Sequence, residues 1–222
     1  MPDPYADFER QKKLVRKLYP RMARRYGQPV CPLHYDPTRP WQLVIAVILS
    51  AQCTDERVNQ VTPALFAEFT ELPQFYQKPI QLLEEKIYST GFYKNKAKSI
   101  QGFARKLDQD LQDSIPTDLK TLQSLPGVGR KTANVVQNEL FKTAEGVVVD
   151  THVARISRLW GLSQAPKANA IQIERDLMQI LPRQYWLYWS LYLIFLGREF
   201  CKARKPDCAG CYLNTVCPAA AS

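Results

Sequence analysis

Three groups of residues in this sequence have the types and spacing to do chemistry. The first is Leu-Pro-Gly-Val-Gly-Arg-Lys, residues 125–131. Gly127 and Gly129 free the backbone from the constraint of a β-carbon, so a very tight turn is open to it. Pro126 stiffens the approach by fixing its own φ. The residues from Lys131 to Val136 have a helix-compatible composition. The expected local structure is helix, glycine hairpin, helix. Its backbone N–H groups would lie near a helix N-terminus, where an anion is favoured. Lys131 stands just beyond the turn. Placed there and partly buried, its amine would lose a proton more easily, and a neutral lysine is a nucleophile that can form a Schiff base with a carbon centre. A solvated or phosphate-contacting lysine is the plainer alternative.

The second group opens with Asp150, which follows the apolar run 146–149 and begins Asp-Thr-His-Val. An aspartate before a helix is a natural N-cap, accepting backbone N–H bonds. Capping fixes the carboxylate, and a fixed carboxylate beside a sugar can stabilise positive charge developing on it. Capping and catalysis are compatible.

The third group is cysteine. There are six, at 31, 53, 201, 208, 211 and 217, and the last four are spaced C-x6-C-x2-C-x5-C. Disulfides are not expected in a chain with no export signal. Four thiols in so short a loop suggest a metal centre. Zinc usually takes two close pairs of ligands, and only Cys208 and Cys211 form one. The irregular spacing suits an iron–sulfur cluster better, with zinc and plain structural thiols as the alternatives. Lys202, Arg204 and Lys205 lie between the first two of these cysteines, either as a solvated loop or as cations that meet phosphates. Cys31 and Cys53 have apolar neighbours and read as packing residues.

The elements that must position these groups are helical. Periodic apolar positions mark helices over 5–25, 41–52, 55–69, 79–89, 93–111, 117–124, 130–142, 150–160, 168–180 and 183–200, with prolines near several boundaries. Only Val147–Val149 looks extended, and it is too short to make a sheet. The expected fold is all-α. Residues 89–100 repeat the opening motif loosely, as a glycine turn followed by a basic helix carrying Lys94, Lys96 and Lys98.

Bulk properties restrict the partner. The 222 residues are 45% hydrophobic, enough for a sizeable core, and the most apolar run, 186–197, is too short to span a bilayer. The expectation is a soluble intracellular protein with no membrane partner. Thirty Lys and Arg against 21 Asp and Glu give a net charge of +9, which favours a polyanion, nucleic acid first. Only two histidines, His34 and His152, are present, so a Ser-His-Asp hydrolase is poorly supported. No Walker or G-x-G-x-x-G motif occurs, which argues against a nucleotide-cofactor enzyme.

Taken in order, Ile-Leu-Ser-Ala-Gln-Cys-Thr-Asp (48–55), LPGVGRKTA, VDTHV and the cysteine set closely resemble the endonuclease III family, bifunctional DNA glycosylases and abasic-site lyases of the helix-hairpin-helix superfamily. The match covers roughly residues 30–217. The resemblance implies two helical domains flanking a DNA cleft: a six-helix barrel with the hairpin at 33–144, and a discontinuous domain of 1–32 and 145–222 carrying a [4Fe–4S] cluster. It implies Cys201, Cys208, Cys211 and Cys217 as cluster ligands, Lys131 as nucleophile and Asp150 as its catalytic partner. Gln52 matches the glutamine inserted into the gap left by an extruded nucleotide. Phe92 stands where a leucine wedge is expected, and the aromatic segment 185–195 is a second departure. Gly127, Gly129, Arg130, His152, Lys202, Arg204 and Lys205 are the further DNA contacts it implies. The implied partner is double-stranded DNA with damaged bases or abasic sites, met by a monomer in the cytoplasm at the nucleoid. The implied reaction removes oxidised pyrimidines and cleaves the strand by β-elimination. An adenine-excising monofunctional glycosylase is a rival, opposed by Lys131 and by the chain's end at Ser222. A non-enzymatic iron–sulfur DNA-binding or redox-sensing module is another, opposed by Lys131 together with Asp150.

If the basic clusters meet phosphates, affinity for undamaged duplex falls with salt at a log–log slope of about −0.9 per phosphate neutralised. Arg204→Ala weakens binding to all sequences alike. A Kd-against-salt titration checks both, and a flat dependence removes nucleic acid as the partner.

Overall fold

The computed structural model describes residues 4–166 and 168–220. Every regular element among them is helical: α1 (Pro4–Tyr26), α2 (Trp41–Leu49), α3 (Asp55–Glu68), α4 (Leu72–Gln77), α5 (Ile80–Ile87), α6 (Tyr93–Leu111), α7 (Leu119–Gln123), α8 (Arg130–Phe141), α9 (Thr151–Leu159), α10 (Ala170–Ile180) and α11 (Trp186–Glu199). Short 3-10 turns, Tyr88–Thr90 and Arg183–Tyr185, extend α5 and precede α11. The chain divides into two compact units, residues 31–143 and residues 1–30 with 144–222.

In the unit of residues 31–143, α2 is the central helix. All nine of its residues are buried and no side chain caps its start, so packing rather than capping holds it. It ends at Leu49, three residues before the Gln52 to which apolarity extended it. The amphipathic α6 places Ala97, Ile100, Phe103, Ala104 and Leu107 in the core at helical spacing. α4, absent from the sequence reading, is a six-residue helix started by Glu71 and Gln74 in a reciprocal capping box. It packs along α6 and brings Phe75 between Trp41 and Phe69. Cys31 and Cys53 pack against this core, as their neighbours suggested.

In the other unit, Val15, Leu18 and Met22 of α1 are fully buried among α9, α10 and α11. The aromatic segment 185–195 is largely core. Trp189 and Tyr192 are 0% and 2% exposed, and Tyr19 of α1 stacks on Tyr185 with ring centroids 3.7 Å apart. Val147–Val149 are buried and belong to no helix or strand. No helix among the described residues is long and apolar enough to cross a membrane.

The glycine hairpin joins α7 to α8. Asp118 caps α7, accepting from the Thr121 N–H at 2.8 Å, and Leu125 and Val128 are buried on either side of the turn. The two glycines have different reasons to be there. Gly127 sits at φ +76°, and a β-carbon on it would stand 2.7 Å from Ser99 Cβ of α6 and 3.3 Å from Ile48 Cδ1 of α2. Gly102 of α6 in turn leaves room for the Pro126 ring, 3.0 Å from where a β-carbon would be. Gly129 has an ordinary φ of −80° and open space around it.

Gly127→Ala therefore lowers stability by about 1–3 kcal/mol, from strain at positive φ and from overpacking. Gly129→Ser, which supplies a capping hydroxyl in open space, leaves stability unchanged or slightly raises it. Urea denaturation of the two variants beside the parent checks the contrast, and equal losses would show that the turn does not depend on its approach to α6.

Candidate active site and cysteine loop

Gly129 is the N-cap of α8, and it has no side chain with which to cap. The first intrahelical bond of α8 runs from the Ala133 N–H to the Gly129 carbonyl at 2.9 Å. The helix dipole is positive at this end. Lys131 is the second residue of α8 and is exposed, so the partial burial expected from the sequence is not found. Arg130 beside it is exposed as well.

Asp150 is the N-cap of α9, as its position before Thr-His-Val suggested. Oδ1 accepts from the backbone N–H groups of His152 at 2.9 Å and Val153 at 2.8 Å. Oδ2 lies 2.9 Å from His152 Nδ1. Three contacts hold a carboxylate whose side chain is only 16% exposed. The His152 ring thus has a role the sequence did not show, as a clamp on Asp150. Gly197 of α11 makes space for that ring. A β-carbon on Gly197 would come within 2.6 Å of His152 Cδ2 and 3.2 Å of Arg155 Nη2.

Arg155, one turn further along α9, escaped the sequence reading. Its Nη2 donates to the Cys201 carbonyl at 2.6 Å, and its Nη1 lies 3.7 Å from Cys201 Sγ. At the far end of the helix, Trp160 Nε1 donates to Cys217 Sγ at 3.2 Å. Neither residue carried a signal in the sequence, because its partner lies 46 or 57 positions away in the chain. Cys201, Cys208, Cys211 and Cys217 line one cavity of about 370 Å³, together with Arg155 and Trp160. All four are free thiols. Burial pushes the Cys201 and Cys211 thiols above the ordinary range, while Arg155 pulls Cys201 back in part. Among the described residues no three His, Cys, Asp or Glu side chains are gathered closely enough to hold a single metal ion. Lys202, Arg204 and Lys205 are exposed on the loop between Cys201 and Cys208.

Gln52 and Phe92, placed by resemblance at the duplex, are both exposed in the unit of residues 31–143. Phe92 is 62% exposed, high for so large an apolar side chain. Both adopt left-handed backbone, with φ +53° at Gln52 and +50° at Phe92. That conformation is uncommon for any residue with a β-carbon and marks a backbone held by its surroundings. Lys96 departs from the reading that grouped it with Lys94 and Lys98 as surface charge. It is 5% exposed and is not part of a basic face.

A family model for HhH-GPD superfamily base excision DNA repair proteins matches residues 45–183. Endonuclease III of Synechocystis sp. is 46% identical over 93% of this chain and 90% of that protein. Endonuclease III of Bacillus subtilis is 42% identical over 81% of each. Among solved structures, a trapped endonuclease III–DNA covalent intermediate is similar with a TM-score of 0.85 at 37% identity, over 95% of this chain and 97% of that one. On these matches the chain belongs to the endonuclease III family of HhH-GPD base excision DNA repair proteins.

Proposed function

We propose that this chain is a base excision repair DNA glycosylase and abasic-site lyase that acts on oxidised pyrimidines in duplex DNA. One observation carries the reading: a member of the endonuclease III family has an exposed lysine in the first turn of α8, behind an uncapped glycine N-terminus, and a carboxylate fixed by three contacts at the start of α9.

The roles follow from local chemistry. The N–H groups at the start of α8 receive a DNA phosphate, and the open space at Gly129 lets the backbone come close. Extrusion of the damaged nucleotide exposes its sugar. Lys131 attacks C1′, the base departs with the C1′–N bond pair, and the sugar ring opens to a Schiff base. Loss of a proton from C2′ then expels the 3′ phosphate, and hydrolysis of the imine returns the lysine. Asp150 stabilises positive charge on the sugar and takes the proton that Lys131 sheds, while its bonds to α9 keep the carboxylate aimed. Gln52 fills the space left by the extruded nucleotide, and Phe92 wedges the neighbouring bases apart. Lys202, Arg204 and Lys205 meet backbone phosphates.

Cys201, Cys208, Cys211 and Cys217 fit a [4Fe–4S] cluster. They are four free thiols around a space larger than a single ion needs, with N–H donors from Arg155 and Trp160 directed at two of the sulfurs. Once bound, such a cluster cross-links the loop and fixes Lys202–Lys205 on the surface.

Borohydride trapping on DNA with one oxidised pyrimidine tests the nucleophile. Lys131→Gln abolishes the adduct and strand cleavage yet keeps DNA affinity within about tenfold. Asp150→Asn retains a capping side chain and folds, but slows base release by on the order of 10²-fold. An undiminished adduct in Lys131→Gln would place the nucleophile elsewhere, and no adduct from the parent would favour a monofunctional or non-enzymatic protein.

Purified protein is expected to be brown, with about four irons and matching sulfide per chain. Cys208→Ser lowers iron content and DNA affinity together. Stoichiometric zinc without sulfide would overturn the cluster assignment.

A further inference from the structure

Lys96 is a buried lysine that the reaction does not use. It lies in the first turn of α6, 5% exposed. Its ammonium donates to two backbone carbonyls, Leu49 O and Thr90 O, each at 2.8 Å. Leu49 is the last residue of α2, and Thr90 is the last residue of the 3-10 turn that continues α5. Both carbonyls belong to helix ends, where oxygens lack intrahelical partners and the dipole is negative. A charge costs much to bury unless it is hydrogen-bonded, so a cation here must be holding something that needs it. Burial holds the Lys96 amine below the ordinary lysine range.

What the two carbonyls have in common is what comes next in the chain. Three residues after Leu49 is Gln52, and two after Thr90 is Phe92. These exposed side chains stand on left-handed backbone at φ +53° and +50°. Lys96 is also tied to Phe92 through its own backbone, since the Lys96 N–H donates to the Phe92 carbonyl at 3.1 Å. Thr90 is locked beside it, its hydroxyl donating to Ile87 O at 2.8 Å. One side chain therefore anchors the base of both loops at a single point.

We propose that Lys96 is a positioning residue that sets the separation and register of Gln52 and Phe92, so that the pair engages one gap in the duplex together. The inference rests on the reading that Gln52 and Phe92 enter the duplex. With the anchor gone, each loop keeps its residue but not its distance from the other. The cost then falls on paired DNA, where filling and wedging must occur at the same step. A single-stranded abasic site asks for neither.

The test uses full-length Lys96→Met and Lys96→Gln, the second retaining side-chain donors for one carbonyl. Each preparation is assayed for excision from a duplex with one oxidised pyrimidine and for lyase cleavage of a single-stranded abasic oligonucleotide. The ratio of the two rates cancels any inactive fraction. Lys96→Met is expected to lower this ratio by about tenfold and Lys96→Gln by less, while in a Phe92→Ala background Lys96→Met lowers it by no more than about twofold further, because the two changes remove one coupled function. Equal loss on both substrates, full additivity, or failure of both variants to fold would assign Lys96 to core stability and overturn the proposal. Gln52→Ala and Phe92→Ala alone separate the two levels. If neither lowers the ratio, the duplex-reading role fails, whereas if both do and the Lys96 variants do not, only the anchor is wrong.

Discussion

The hairpin is where it is because Gly127 has no side chain. A β-carbon there would stand 2.7 Å from Ser99 Cβ, and the backbone at φ +76° would resist it as well. The turn can thus lie directly on α6, and the start of α8, with Lys131 in its first turn, inherits that position. The neighbouring contact is similar, since Gly102 admits the Pro126 ring. Lys96, Ser99 and Gly102 follow at three-residue steps on α6, while Ile100, Phe103, Ala104 and Leu107 bind the helix into the core. One helix therefore fixes the hairpin at its middle and the Gln52 and Phe92 loops at its start. A change in how α6 packs would move both sets of groups, whereas a change confined to the exposed residues of α8 would move neither.

The other unit solves its positioning problem with α9. The cap, Asp150, is the carboxylate proposed to act. The first turn supplies His152, which clamps that carboxylate. The next supplies Arg155, which ties the Cys201 carbonyl, and Trp160 at the C-cap reaches Cys217. A nine-residue helix spans roughly 13.5 Å, so the carboxylate and the cysteine loop are held in register by a rigid rod. Gly197 of α11 is the companion of Gly127, since a side chain there would meet both His152 and Arg155. Its effect would reach the carboxylate and the loop at once, although neither touches it in sequence.

What the sequence made legible was local. Helix existence followed from periodicity, and α6 was delimited at Tyr93 and Leu111 because its apolar stripe is long and uninterrupted. The Asp150 cap was readable because a capping side chain bonds to its own helix two and three residues on. α4 was missed because six residues carry less than two turns of period, and its capping box has Glu71 at the N-cap, where serine or threonine is usual. The end of α2 was overrun because Ser50, Ala51 and Gln52 include no glycine or proline to mark a stop. Arg155, Gly197 and the separate tasks of Gly127 and Gly129 were not readable at all. Each is defined by an atom that lies far away in the chain.

The lysines show most clearly where composition stops being informative. Residues 89–100 echo the hairpin motif, with a glycine turn and then lysines entering a helix, and the echo alone would put Lys94, Lys96 and Lys98 on one footing with Lys131. Helix phase separates them. Lys131 is the second residue of α8, and Lys94 is the second residue of α6, and both are exposed. Lys96 is the fourth, and two residues at about 100° each turn it roughly 200° from Lys94, onto the face that packs inward. There a long side chain can pass through apolar surroundings and still find oxygens, provided two helix ends are brought to meet it. α2 and α5 do so because their carbonyl ends need donors as much as the ammonium needs acceptors. The same residue type after the same kind of turn is thus a candidate nucleophile at one phase and a structural cation at another, and the difference is set by where the helix begins.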